Sequence, residues 1–259
     1  MGYTEAEIGK KLILSQSRVA EILSSIGKGI DAKIDIPDPP QIGDVWLFSG
    51  CDDDYGLAGF PGRIPGEIVE NLLHFYTKPF DLIVDPMSGG GTTLDVSKAM
   101  YRRCLAYDLK VLRPEIRSYQ DETGIKAGLP QRVRRANLII LDPPYYKKKD
   151  DAYYPGSISA LEREEYLTTF QKIAYSCHKA LNQGGYLALI MSNYLDEQNI
   201  SDSIWIWDYV SIFKKAKFTP IREIQCPLTT QSLHPSDMEG FRETKCMAKF
   251  TRSIVVFKK

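Results

Sequence analysis

Only three histidines occur in the chain, and no Cys-x-x-Cys pair. The five cysteines, at 51, 104, 177, 226 and 246, are scattered, so neither a zinc site nor a disulfide framework is supported; the expectation is a reducing, cytoplasmic setting without metal. Net charge is absent too. Lys plus Arg and Asp plus Glu each number 33, which removes bulk electrostatics as an attraction for nucleic acid and leaves only local basic surface. No apolar run approaches the ~20 residues of a membrane span, and the amino terminus lacks a signal-peptide core, so no membrane association is expected. Internal repeats and low-complexity tracts are missing. What remains is 259 residues, enough for one sizeable α/β domain with a small appendage.

The most informative stretch is Leu138-Ile139-Ile140-Leu141 followed at once by Asp142-Pro143-Pro144-Tyr145. Four apolar residues cut off by two prolines predict a short buried strand whose ladder stops there. A carboxylate and a backbone carbonyl are both acceptors, so together they can hold the two hydrogens of an exocyclic amine. The prolines fix the turn, and the tyrosine offers a flat face for a base. The target this suggests is a planar aminated heterocycle.

A second strand, Leu82-Ile83-Val84, runs into Asp85-Pro86-Met87-Ser88-Gly89-Gly90-Gly91-Thr92-Thr93, and a helix is expected from near Thr92. Glycines at such a turn let a ligand approach the backbone, and the helix start leaves N–H groups free. Asp108 follows the next strand, Cys104 to Tyr107, roughly 20 residues on, where a doubly wound fold places the carboxylate that grips ribose hydroxyls. After Gly91 the chain lacks the third glycine of a dinucleotide fingerprint, and no lysine follows to make a P-loop. The ligand preferred is a nucleoside without a long phosphate chain.

With both motifs in hand, the chain resembles the S-adenosylmethionine-dependent methyltransferases that modify exocyclic amino groups of DNA bases. The family's cofactor motif, Asp-Pro-Phe-x-Gly-x-Gly-Thr-Thr, matches Asp85 to Thr93 with Met87 replacing Phe, and its catalytic motif matches Asp142 to Tyr145. Phe60-Pro61 and Ile64-Pro65, with the helix after them, look like the family segment lining the methionine end of the cofactor pocket. The resemblance implies that Phe60, Ile64, Pro65, Asp85, Met87, Gly89, Gly91, Thr92 and Asp108 hold the cofactor; Asp121 matches the acid facing its adenine amine, or is a solvated loop acid. It implies that Asp142, Pro143, Pro144 and Tyr145 hold and methylate a base flipped from duplex DNA. Asp at the head of the tetrapeptide favours N6 of adenine; N4 of cytosine and a base amine in RNA are the alternatives. A homodimer and a restriction endonuclease partner are both compatible with the family.

The fold implied is a doubly wound, Rossmann-like sheet, mostly parallel with an antiparallel hairpin at the end, over residues 57–259. Residues 1–30 look like a helix-turn-helix in which Gln16, Ser17 and Arg18 open the recognition helix, although Ile13 stands where the turn usually has glycine. Residues 31–56 are read as a linker or extension, with Val45 to Phe48 either a strand or a tacked-down segment. A regulator that only senses the cofactor through the sheet is the rival of another class. Lys147, Lys148 and Lys149, among tyrosines, form a candidate phosphate-gripping loop or a solvated one. Ser159 is expected to cap a long helix with Leu167, Phe170, Ile173, Ala174, Cys177 and Leu181 inward; Ile204 to Phe213 reads as a further helix.

Overall fold

The computed structural model describes residues 40–48, 50–51, 54–119, 124–147, 156–196, 199–227 and 251–259. Gln16, Ser17 and Arg18, with the rest of the expected helix-turn-helix, lie outside the described residues, as do Asp121, Lys148, Lys149 and residues 228–250.

Helix α1 (Gly66–Tyr76) forms because Ile68, Val69, Leu72 and Leu73 recur on one face. It ends at Thr77, whose hydroxyl donates to the Leu73 carbonyl at 2.6 Å. Strand β1 (Leu82–Asp85), helix α2 (Thr92–Ala99), strand β2 (Arg103–Asp108) and the two-residue strand β3 (Arg117–Ser118) follow. Then come β4 (Ala136–Leu141), α3 (Arg163–Ala180), β5 (Leu181–Met191), α4 (Ile206–Lys215), β6 (Thr219–Pro227) and β7 (Thr251–Lys258).

The seven strands lie in the order β3-β2-β1-β4-β5-β7-β6. The first five are parallel; β7 runs antiparallel to both β5 and β6. This is the doubly wound sheet with an antiparallel end that the sequence predicts. Chain order reverses between β1 and β4, which opens a crevice at their carboxyl ends.

Side-chain alternation divides the core between the two faces. Ile139, Leu141, Leu187, Leu189, Val255 and Phe257 pack with Phe170 and Ile173 of α3 and Phe213 of α4. Ile83, Leu138, Ile140, Ile190, Ile254 and Val256 face the other way, against the apolar stripe of α1. Central strands buried on both faces must be apolar throughout, which is why Leu138 to Leu141 carries no polar residue.

Several local expectations change. The segment around Val45 is a tacked-down extension: Val45 makes an isolated bridge to Gln225 of β6, the Trp46 amide donates to the Gln225 carbonyl at 2.9 Å, and the Trp46 ring is 2% exposed. It covers the edge of β6 that would otherwise be open. Glu162, not Ser159, is the N-cap of α3; Ser159 lies buried in a preceding 3-10 turn capped by Ser157. Ile204 precedes α4 and bridges to Tyr194. Tyr146, grouped with the lysine loop by its sequence position, is a core residue whose ring meets Tyr166 and Tyr194 at centroid distances of 5.0 and 4.9 Å.

Arg102 is a buried cation that period-based reading does not flag. Its guanidinium donates to the carbonyls of Met100, Leu73 and Thr77 and to the Thr77 hydroxyl, tying the end of α1 to the turn before β2. Arg102→Met keeps the volume and removes these donors, leaving buried carbonyls short of partners. The expected cost is about 1–3 kcal/mol, read as a lower urea midpoint with an unchanged m-value.

Candidate active site at the carboxyl edge

Strand β1 ends in Asp85, and the turn after it is shaped by its own backbone bonds. The Asp85 carboxylate accepts from the Met87 amide at 3.1 Å. Ser88 donates both its amide and its hydroxyl to the Tyr107 carbonyl, at 2.9 and 3.2 Å, which draws the turn across to β2. The Gly89 amide donates to the Asp108 carboxylate at 2.8 Å, and the Lys110 amide donates to its other oxygen at 3.1 Å. An ionised carboxylate has about four acceptor sites, so Asp108 keeps capacity for vicinal hydroxyls.

Phe60 lies directly on the glycines. A Cβ added at Gly89, where φ is +49°, would stand 2.6 Å from the Phe60 ring. Gly91, with φ +90°, is the N-cap of α2, and a side chain there would run into the Arg113 guanidinium at 2.8 Å. Arg113 in turn grips Asp95 of α2 with bonds of 2.6 and 2.8 Å, and Asp95 accepts from the Gly56 amide at 2.9 Å. With the Leu57 amide donating to the Gly90 carbonyl at 3.0 Å, these bonds hold residues 56–60 over the turn.

Across the crevice, β4 stops at Asp142. The Tyr166 hydroxyl of α3 donates to the Pro144 carbonyl at 3.3 Å and accepts from the Tyr209 hydroxyl of α4 at 3.3 Å, so two helices brace the proline corner. No hydrogen bond reaches the Pro143 carbonyl among the described residues. That carbonyl remains an acceptor beside the Asp142 carboxylate. Tyr145 is half-buried at the same rim.

One cavity of about 230 Å³ joins both halves. Among the residues singled out from sequence, Phe60, Ile64, Asp85, Met87, Gly89, Thr92, Asp108 and Asp142 to Tyr145 line it. Pro65 and Gly91 do not; they act as the N-caps of α1 and α2. Lys147 is exposed, its Nζ 5.3 Å from the Tyr146 ring centroid, and is not in the lining. Sequence reading missed Tyr119, whose hydroxyl donates to the Pro86 carbonyl at 2.7 Å, and Arg252 on β7; both line the cavity. Alternation along β7 carried the signal for Arg252, since it has the parity of Ile254 and Val256.

Burial dominates the electrostatics. Asp85 is 5% exposed and its carboxyl is pushed up to about 7, by loss of water first and by the nearby Asp142 and Asp108 charges besides; the Thr93 hydroxyl and Met87 amide pull the other way. Asp108 is raised as well by burial, against the lowering effect of the Gly89 and Lys110 amides. No cation pairs with Asp85 among the described residues. A buried carboxylate without a counter-charge, a second carboxylate on a glycine turn, and apolar Phe60, Ile64 and Met87 between them suit a ligand with a cationic end, vicinal hydroxyls and an apolar body.

A family described as DNA methylase matches residues 15–112, a stretch that contains the glycine turn and Asp108 and stops short of Asp142. This agrees with the part of the resemblance that rests on the glycine turn, and the methyl donor of that family is S-adenosylmethionine. No curated protein matches the chain. Among solved structures, TrmN from Thermus thermophilus is similar at 15% identity and a TM-score of 0.48, over 78% of this chain and 51% of that one. A geranyl diphosphate methyltransferase aligns at 13% identity and TM-score 0.48, over 80% of this chain and 98% of that one. A TehB-like SAM-dependent methyltransferase from Corynebacterium glutamicum aligns at 13% and 0.44, over 78% and 92%. The chain thus spans about half the length of TrmN.

Because the folded pKa of Asp85 lies above its ordinary 3.8, its contribution to stability is complete below about pH 4 and is lost as pH climbs through about 7. Asp85→Asn removes that dependence. Urea unfolding at pH 4 and pH 8 should show the wild type losing up to about 4 kcal/mol relative to the variant between the two.

Proposed function

We propose that the protein transfers a methyl group from S-adenosylmethionine to the N6 amino group of adenine in DNA. The observation that carries this reading is the single cavity lined at one end by the glycine turn and Asp108 and at the other by Asp142 to Tyr145. When bound, S-adenosylmethionine supplies an electrophilic methyl group on a sulfonium centre.

The chain's own residues account for the rest. Asp108 accepts from the ribose hydroxyls, the Asp85 carboxylate faces the cationic methionine end, and Met87, Phe60 and Ile64 enclose the body of the donor. Asp142 and the Pro143 carbonyl accept the two hydrogens of the target amine. That lone pair is delocalised into the ring, so holding both hydrogens favours a more tetrahedral nitrogen directed at the methyl carbon. The N–C bond forms as the C–S bond breaks, the electron pair stays on sulfur, and the nitrogen then loses one proton. Asp142 therefore need not be a strong base. Tyr145 stacks on the extruded base, offsetting part of the few kcal/mol that flipping costs.

The preference for adenine rests on Asp at the head of the tetrapeptide. Treating DNA with the purified protein and digesting it to nucleosides separates the outcomes: N6-methyladenine supports the proposal, N4-methylcytosine or a modified RNA base replaces its target, and no product at all sinks it. Asp142→Ala should lower the transfer rate by at least about a thousandfold while donor affinity stays within a few fold. A variant with full activity would leave the cavity's far end without a catalytic part, as the cofactor-sensing alternative requires.

A further inference from the structure

Arg252 opens β7 on the same sheet face as Ile254 and Val256, and its side chain lines the cavity. Its Nε and Nη1 are buried and have no hydrogen-bond partner among the described residues. Two buried N–H donors left unpaired cost free energy, so a site that keeps them is built for an acceptor that arrives from outside. Glu67, on α1, does not satisfy them, and its own Oε2 is buried without a hydrogen-bond partner among the described residues. Arg252 and Glu67 both act on the Cys226 thiol, which burial pushes up to about 11, yet the two form no ion pair. The other arginine of the lining, Arg63, is already engaged by the Tyr55 and Cys51 carbonyls.

Strand order says which anion this is. Across the carboxyl edge the sheet presents Asp108 on β2, Asp85 on β1, Asp142 after β4, then β5, then Arg252 on β7. Asp142 therefore stands between the donor's seat and Arg252. β7 lies two strand spacings from β4, about 10 Å, on the acceptor's side of the transfer axis. Phe60 and the glycine turn, which the proposed function gives to the donor, lie on the far side of Asp142 from β7.

We propose that Arg252 receives a phosphate flanking the flipped nucleotide and so sets how the acceptor strand is held once its base reaches Asp142. This rests on the nucleic-acid reading of the site. Arg252 also counters the repulsion that a phosphate would meet from the carboxylates Asp85, Asp108 and Asp142 in one cavity. Its fork suits two phosphate oxygens at once.

The test measures KM for a DNA duplex, the slope of log affinity against log salt, and the donor Kd by calorimetry, in the full chain and its Arg252→Gln and Arg252→Lys variants. Expected for Arg252→Gln are a KM raised about tenfold or more, a salt slope smaller by about 1, and a donor Kd within twofold. Arg252→Lys should recover part of the loss, since it keeps the charge without the fork. With the wild type alone, a neutral methylphosphonate at a phosphate flanking the target base should cost the same factor, and combined with Arg252→Gln it should cost little more. A donor Kd that weakens in place of KM would reassign Arg252 to the donor carboxylate and overturn the proposal. So would an unchanged KM and slope in an active enzyme, which leaves the methyltransferase reading standing. A wild type that neither binds nor methylates nucleic acid overturns both.

Discussion

Two parallel strands end beside each other on an acid followed by proline, and most of the site depends on that coincidence. The register pairs Val84 with Ile139, so Asp85 and Asp142 finish neighbouring strands with the same parity and point to the same face. Proline after each acid stops the ladder where ligands would enter. Burial first, and the neighbouring Asp142 and Asp108 carboxylates besides, raise the Asp85 carboxyl above its ordinary range. A cationic donor relieves that repulsion. The local carboxylates suffice to attract it without bulk negative charge, which suits a chain whose charges balance.

Around this pair the structure is rigid where chemistry asks for position. The glycine turn is fastened to β2 by Ser88 and Gly89 and covered by Phe60, and the cover is tied through Asp95 to Arg113. Arg113 is held well within the protonated range by the Asp95 carboxylate, the larger of the influences on it. On the other side the hydroxyls of Tyr166 and Tyr209 pin the proline corner to α3 and α4. Each half is thus anchored to helices on a different face of the sheet, with the cavity between them.

The parts that were legible in the sequence are those with a short-range physical signature. An apolar run ended by Pro-Pro, a strand-glycine-helix turn and an acid after the next strand sufficed to outline the sheet and to bring Asp85, Asp108 and Asp142 to one edge. Features that depend on residues distant in the chain were not legible. The pairing of Trp46 with Gln225, the burial of Tyr146 against Tyr166 and Tyr194, and the approach of Arg252 to the cavity each join segments far apart in the chain. Pro65 and Gly91, grouped with ligand-binding residues by motif, also start helices. A motif records which residues occur together, and backbone roles and side-chain roles within it look alike until coordinates separate them.

Helix α3 passes into β5 with no intervening residue, Ala180 ending one and Leu181 beginning the other. The last turn closes through the Leu181 amide onto the Cys177 carbonyl, while Leu181 is already opposite Ala136 of β4. Such a joint has no loop between helix and strand, and its slack lies in the irregular pairing that follows Leu181. Helix and strand must translate as one body, and a single inserted residue has to be absorbed at the irregular pairing near Gly184 or else invert which side chains of β5 face each layer. This seam lies at the opposite end of the sheet from Asp85 and Asp142.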